Sequence, residues 1–244
     1  MNVFVAGTDT EIGKTTIVCG LLNALADRGW RVAGMKPIAT GVTGDGQNAD
    51  ACALQEHSHP GLRYEWINPC LFNAPTAPSI AAMIERRSID WMAIDAAYQR
   101  LSNTVDVVLV EGIGGWRVPL SDDLLASDIP RRLALPVILV AGIKLGAINH
   151  TLLTVDGIHH DQCVLSGWIA NVLDPDYSYT QAAIQDLKQR ISAPCLAEVP
   201  YLVTPTPIAA QAWLTAAASV VDDKLIDNAN NDPIRRVRDF NHFE

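Results

Sequence analysis

The chain has 244 residues, is 49% hydrophobic and carries a formal net charge of −9, so it can bury a full core and would repel nucleic acid and anionic membrane surfaces. Its longest apolar run, LALPVILVAGI, is interrupted by Pro136 and falls far short of the roughly 20 residues that span a bilayer. A strand is predicted from residue 2, and no basic leader precedes it. Together these properties predict a cytoplasmic protein that acts on small molecules, without nucleic acid or membrane as partners.

Short apolar runs rich in β-branched residues alternate with segments of helical pattern along most of the chain. The predicted strands are NVFVA, WRVAGMKPI, VDVVLVEG, LPVILVAGI, CVLSGWIANVL and APCLAEVPYL, and the predicted helices are 14–28, 76–86, 90–101, 123–134, 147–160 and 177–190. This alternation predicts one α/β domain over residues 1–221, a doubly wound, mostly parallel sheet with helices on both faces. The polar segment 222–244 is predicted to be a disordered tail.

Residues 7–16, GTDTEIGKTT, stand between the first predicted strand and the first predicted helix. A strand, a glycine-bearing turn ending in Gly-Lys-Thr and a helix predict a phosphate-binding loop of the P-loop NTPase type, in which backbone N–H groups surround an anion. Lys14 would reach the β- and γ-phosphates, and the Thr15 hydroxyl would ligate Mg²⁺. The spacing is unusual, since five residues separate Gly7 from Gly13 where four are common.

Three charged residues stand where neighbouring strands would end. Glu111 ends the strand VDVVLVEG, Lys36 follows WRVAGM, and Asp50 closes the glycine-rich segment 40–50, which we interpret as a mobile loop. A carboxylate at a strand end is typical of a Mg²⁺ site, and a lysine beside a triphosphate neutralises a transferring phosphoryl group. From the residues alone, Glu111 could instead cap a turn, Lys36 could be a solvated surface residue, and Asp50 could be a helix N-cap.

The cysteines and histidines point to no further chemistry. Five cysteines are widely spaced, and no C-x-x-C pair occurs, so we expect reduced thiols and neither disulfides nor a thiolate metal site. The motifs H-E-x-x-H and G-x-S-x-G are both absent, which excludes the zinc proteases and nucleophile-elbow hydrolases that depend on them.

Several motifs together resemble the dethiobiotin synthetase family over residues 2 to about 215: GTDTEIGKTT, KPIATG, NADACAL, VEGIGGW, PVILVAGIKLGAINH and GWIAN. The resemblance implies a ligase that converts 7,8-diaminononanoate, CO₂ and ATP into dethiobiotin, ADP and phosphate with Mg²⁺. A carbamate formed on one substrate amine attacks the γ-phosphate, and the second amine then closes the ring of the resulting carbamic–phosphoric anhydride.

The resemblance also implies roles for individual residues. Lys14 and Lys36 would be catalytic, Thr15, Asp50 and Glu111 would hold the metal, and Thr40 would contact the substrate. The residues implied to contact ATP are Glu11, Ile12, Gly13, Lys14, Thr15, Thr16, Asp50, Glu111, Gly112, Ile113, Gly114, Asn171, Val172, Pro200, Tyr201 and Leu202. Val172 stands where the family often has Asp, which leaves only its backbone to bind the base.

The segment KLGAINH opens the predicted helix 147–160, and its backbone N–H groups suit an anion. In the resembling family this helix start comes from the neighbouring subunit, which implies a homodimer whose Gly146 and Asn149 bind the substrate carboxylate in the partner's site. Asn149 could instead only cap its own helix. Alternatives for the whole chain are a partition-type ATPase, which needs a second lysine in its loop, a relative of cobyrinate diamide synthase, which needs a glutaminase domain, and a non-catalytic nucleotide-binding scaffold.

Overall fold

The computed structural model describes residues 2–215, 217–218 and 221, and the predicted tail at 222–244 lies outside them. A six-stranded sheet in the order β2-β5-β1-β6-β7-β8 forms the centre of the described residues, and its neighbouring strands run parallel. The elements are β1 (Val3–Gly7), α1 (Lys14–Ala26), β2 (Val32–Met35), β3 (Ile38–Thr40), α2 (Ala49–Glu56), α3 (Tyr64–Ile67), β4 (Cys70–Phe72), α4 (Pro78–Glu85), α5 (Trp91–Thr104), β5 (Val107–Glu111), α6 (Asp128–Arg132), β6 (Val137–Ile143), α7 (Ala147–His160), β7 (Leu165–Val172), α8 (Thr180–Arg190) and β8 (Cys195–Val199).

Helices cover both faces of the sheet, so its central strands are apolar and buried, except that β5 ends in the buried Glu111. Every residue of β1, β5 and β6 is buried, the burial that continuous Val, Ile and Leu runs predict for parallel strands. The predicted doubly wound α/β fold is confirmed. Among the described residues, no helix is long and apolar enough to cross a membrane.

The predicted strand at residues 30–38 is two strands in two sheets. β2 ends at Met35, and β3 begins at Ile38 and pairs with β4 in a separate two-stranded sheet. The break has a local cause, since the Lys36 backbone N–H donates to Ile67 O at 2.7 Å and Pro37 has no N–H to donate. Lys36 therefore leaves the sheet at the carboxyl end of β2.

The predicted helix at 123–134 is wrong in extent, since α6 covers only Asp128–Arg132. The residues before it turn back on themselves, with an antiparallel bridge between Pro119 and Leu125. The short elements α3 and β4 were not predicted, and the start of β3 was predicted only as part of the strand at 30–38. The remaining predicted helices match observed ones to within a few residues at their ends.

Candidate active site

A cavity of about 430 Å³ opens at the carboxyl ends of β1, β2 and β5, beside the start of α1. Most of the residues predicted to bind phosphate, metal and substrate meet there, although they come from four separate segments of the chain. The lining residues are Thr10, Glu11, Ile12, Gly13, Lys14, Thr15, Thr16, Lys36, Ala39, Thr40, Asn48, Asp50, Glu111, Ile113 and Gly114.

The loop between β1 and α1 has the tight conformation that a phosphate-binding loop requires. Glu11 and Gly13 both have left-handed backbones, with φ of 57° and 78°, and Gly13 is the N-cap of α1. The Lys14 side chain folds back across Gly7, where a Cβ atom would lie 2.7 Å from Lys14 Cδ. Lys14 Nζ donates to Asp9 O at 2.8 Å, so the ammonium lies inside the loop.

The charged residues predicted at the strand ends form one connected cluster. Lys36 Nζ lies 2.6 Å from Glu111 Oε1 and 3.0 Å from Asp50 Oδ2, and Thr15 Oγ1 donates to Glu111 Oε1 at 2.9 Å. Lys36 also lies 3.3 Å from the carbonyl oxygen of Gly112. Lys36 and Glu111 are both almost completely buried, so the charge of Glu111 depends on Lys36 for compensation, and that of Lys36 depends on Glu111 and Asp50.

The structure excludes two of the alternative interpretations of these residues. Lys36 is only 4% exposed and is not a surface lysine. Asp50 is not the N-cap of α2, because Asn48 occupies that position and accepts a hydrogen bond from the Ala51 N–H. Asn48 also lines the cavity and was not predicted as a site residue, although an asparagine directly before a helix is a recognisable capping signal.

Burial and mutual charge shift the acidities of the cluster. Burial lowers the pKa of Lys14 to about 8, and the nearby positive charge of Lys36 adds to this effect. Burial would also lower the pKa of Lys36, but Glu111 and Asp50 outweigh it and the pKa is raised. The pKa of Asp50 is lowered, because Lys36 and Thr15 outweigh the effect of burial. Lys36 is therefore held as a cation and Asp50 as a carboxylate.

The donor set fits a hard cation that is shared with a phosphate ligand. Glu111 Oε2 is buried and has no hydrogen-bond partner among the described residues, so an oxygen ligand is available beside Thr15 and Asp50. Across residues 2–215, 217–218 and 221, no group of three His, Cys, Asp or Glu side chains could hold a metal ion. Two carboxylates and one hydroxyl therefore need further oxygen ligands, which Mg²⁺ commonly takes from water and phosphate.

The residues predicted to contact the base lie at the carboxyl ends of β7 and β8. Asn171 Nδ2 donates to Ile12 O at 2.8 Å, and a Cβ atom on Gly13 would lie 2.7 Å from that same nitrogen. Asn171 therefore packs directly against the loop. Val172 ends β7, and the segment 200–202 directly follows β8; none of them is among the described residues that line the 430 Å³ cavity.

Gly146 and Asn149 are exposed at the start of α7 and do not line that cavity. Gly146 is the N-cap of α7, with φ of 91°, so Asn149 is not the N-cap residue of its own helix. The structure thus leaves the two residues predicted to bind the substrate carboxylate outside the cavity that Lys14 and Lys36 of the same chain line.

A second cavity of about 470 Å³ adjoins the first and shares Thr10 with it. Its floor is the phosphate loop, one wall is the segment 115–119, and the other wall is α7. Its lining residues are Thr8, Asp9, Thr10, Gly115, Trp116, Arg117, Val118, Pro119, His150, Leu153 and Thr154. Sequence reasoning did not single out this cavity, because its walls are mostly apolar residues of the kind that also form cores.

Comparison with known proteins identifies relatives over most of the chain. A family model described as "AAA domain" matches residues 1–208. An ATP-dependent dethiobiotin synthetase of Cellvibrio japonicus is 45% identical over 214 residues, which is 86% of this chain and 94% of the relative. The Escherichia coli K12 protein of the same name is 45% identical over 202 residues, covering 82% and 90% of the two chains.

Solved structures support the fold. The MinD protein of Aquifex aeolicus, in its complex with MinC, gives a TM-score of 0.56 at 14% identity over 91% of this chain and 96% of that one. The MinD protein of Pyrococcus horikoshii with Mg-ADP gives 0.52 at 15% identity, over the same shares. Identity this low shows a shared P-loop α/β architecture, whereas the 45% identity to the synthetases is much more specific. The chain belongs to the ATP-dependent dethiobiotin synthetase family.

Proposed function

We propose that the protein is a Mg²⁺-dependent ligase that forms dethiobiotin from 7,8-diaminononanoate, CO₂ and ATP, releasing ADP and phosphate. One observation carries this proposal: Lys14, Thr15, Lys36, Asp50 and Glu111 converge on a single cavity in a chain 45% identical to named synthetases. Because the reaction consumes ATP and uses only small molecules, we also propose a cytoplasmic location.

The phosphate loop positions the nucleotide. The first N–H groups of α1 lack partners within the helix and face the same cavity as the Lys14 ammonium. Lys14 would exchange its contact with Asp9 O for the β- and γ-phosphate oxygens. Phosphoryl transfer requires little covalent chemistry from the protein, so such positioning and charge neutralisation account for most of the rate.

Lys36 would stand on the other side of the transferring group from Lys14. Its ammonium is held between Glu111 and Asp50, next to Thr40, which also lines the cavity. From there the ammonium would neutralise the carbamate while a carbamate oxygen attacks the γ-phosphate. It would then neutralise charge on the equatorial oxygens of the transferring phosphoryl group. Burial makes this charge more effective than a solvated lysine would be.

Thr15, Asp50 and Glu111 would hold the cation together with phosphate oxygens. When bound, Mg²⁺ offsets negative charge on the β- and γ-phosphates. The orphaned Glu111 Oε2 and the hydroxyl of Thr15 beside it support this assignment. In the free protein Lys36 neutralises the same two carboxylates.

The diamine would lie across the second cavity. Its reacting amines would meet the phosphate loop near Thr10, and its apolar chain would pass between Trp116 and Leu153. The exposed start of α7, with Gly146 and Asn149, would receive the carboxylate of a substrate bound in the partner subunit. We therefore propose an isologous homodimer with shared sites, built on α7.

The direct test is incubation of the purified protein with 7,8-diaminononanoate, bicarbonate and MgATP, followed by mass spectrometry for dethiobiotin and a parallel assay of ADP. We expect equal amounts of the two products, with none from reactions that lack either bicarbonate or the diamine. ADP released without dethiobiotin, at a rate independent of the diamine, would instead identify a simple ATPase.

A further inference from the structure

Trp116 and Arg117, in the segment after β5, both contact one carboxylate oxygen of Asp161, at the C-terminal end of α7. Trp116 Nε1 donates to Asp161 Oδ2 at 2.8 Å, and Arg117 Nη1 lies 2.9 Å from the same oxygen. Asp161 directly follows α7 as its C-cap residue, and its side chain is only 9% exposed. A partly desolvated carboxylate with one charged and one neutral donor makes stronger contacts than a surface ion pair.

The Trp116 ring is fixed on its other sides by packing. It meets Phe4 of β1 edge to face, with ring centroids 6.3 Å apart and planes at 74°. It also packs against Gly157 of α7, where an added Cβ atom would lie 3.0 Å from Trp116 Cδ1. The indole is 4% exposed, so it has little freedom once Asp161 holds its N–H.

These contacts join the two walls of the second cavity. Trp116 and Arg117 belong to one wall, and His150, Leu153 and Thr154 of α7 belong to the other. Asp161 and Gly157 lie further along the same helix. The spacing between the walls is therefore set by two residues outside the cavity, the Asp161 carboxylate and Gly157, which has no side chain.

We propose that Asp161 is a positioning residue for the acceptor substrate: through Trp116 and Arg117 it fixes the width of the second cavity and the approach of the bound diamine to the phosphate loop. This inference rests on the proposed function, which places the diamine in that cavity. Asp161 itself touches no reacting atom. Its effect is on how the diamine fits between the two walls of the second cavity, so its loss should weaken diamine binding.

The test is a steady-state comparison of Asp161→Ala and Asp161→Asn with the wild-type enzyme. For Asp161→Ala we expect the KM for the diamine to rise on the order of tenfold, while the Kd for ATP, measured by calorimetry, changes less than twofold. Asp161→Asn retains an acceptor for the indole and loses only the charge, so its KM should rise less. Gly157→Ala should give the same selective increase, because its methyl group pushes on Trp116 directly.

Asp95→Ala is the matched control, since Asp95 also pairs with an arginine, Arg132, but on the exposed surface. It should leave both parameters unchanged. An unchanged diamine KM in both Asp161→Ala and Gly157→Ala would overturn the inference, as would equal losses of ATP and diamine affinity, which indicate general unfolding. If Asp161→Ala does not fold, Asp161→Asn and Gly157→Ala decide the matter. Wild-type enzyme that makes no dethiobiotin would overturn the proposed function as well.

Discussion

The two adjoining cavities are built in opposite ways. In the first, charges from separate segments neutralise one another, and Lys36 connects Asp50 and Glu111. The second has mostly apolar walls, and packing together with the contacts of Asp161 joins one wall to the other. The residues proposed for phosphoryl transfer line one cavity of a single chain, whereas the residues proposed for the substrate carboxylate, Gly146 and Asn149, are exposed. On the proposed function, the chemical step would depend on electrostatics in the first cavity, and substrate placement would depend on shape in the second.

The largest expected effect comes from removing the charge at the centre of the first cavity. Lys36→Gln should lower kcat and kcat/KM together by on the order of 100- to 1,000-fold, the effect of losing one group that stabilises transition-state charge. Steady-state assays of dethiobiotin formation measure both constants. Lys188→Gln, at an exposed lysine paired with Glu198, is the control and should be silent. An effect confined to the KM for ATP would make Lys36 a ground-state binding residue.

Glu111→Gln tests the metal assignment within the same region. The change keeps the shape of the side chain but removes the charge that Lys36 and Thr15 contact, so turnover should fall by on the order of 100-fold. The melting temperature of the variant should fall only slightly, because Asp50 still neutralises Lys36. Turnover equal to wild type at saturating Mg²⁺ would contradict the role of Glu111 as a metal ligand.

Mixing subunits tests whether the Lys36 and the Asn149 that serve one substrate molecule come from different chains. Lys36→Gln and Asn149→Ala proteins should each be impaired, and shared sites require every heterodimer to regain one intact site. Random re-association of equal amounts should then restore about a quarter of wild-type activity. Self-contained sites predict no recovery above the average of the two variants, and the same dissociation treatment of each variant alone provides the control.

The smallest effect concerns the proton on Lys14, whose pKa is lowered to about 8, mainly by burial. Bound phosphates favour the charged ammonium and should raise that pKa, so binding takes up a proton once the pH exceeds about 8. ADP affinity, measured by calorimetry in chelator, should be constant just below this pH and weaken by up to about tenfold per pH unit above it. Lys14→Arg should abolish the dependence, because arginine does not titrate there; an identical slope in both proteins would assign the proton elsewhere.

The first cavity could be predicted from the sequence because its residues occur in local patterns. The phosphate loop is contiguous, and Lys36 and Glu111 follow apolar strands whose carboxyl ends meet at one edge of a parallel sheet. The geometry of the second cavity could not be predicted. The contact of Trp116 with Asp161 spans 45 residues, and nothing around either residue marks the other.

The same distinction explains the errors in the predicted elements. The break after Met35 depends on a backbone hydrogen bond from Lys36 to the distant Ile67 and on pairing of β3 with β4. Apolar character alone extends a strand across such a break. The predicted helix at 123–134 failed because the residues before Asp128 form a bridge between Pro119 and Leu125, which helical periodicity does not reveal.

The buried pair of Lys36 and Glu111 has a consequence for how the protein can be stored. Because the chain supplies its own counter-cation, the buried Glu111 carboxyl group has a positive partner in Lys36 without any divalent ion. We expect the melting temperature of the free protein to be the same in chelator as in excess Mg²⁺, and a difference to emerge only when nucleotide is added. The divalent ion would then be an exchangeable reagent of each turnover, renewed with each ATP, and not a permanent part of the folded chain.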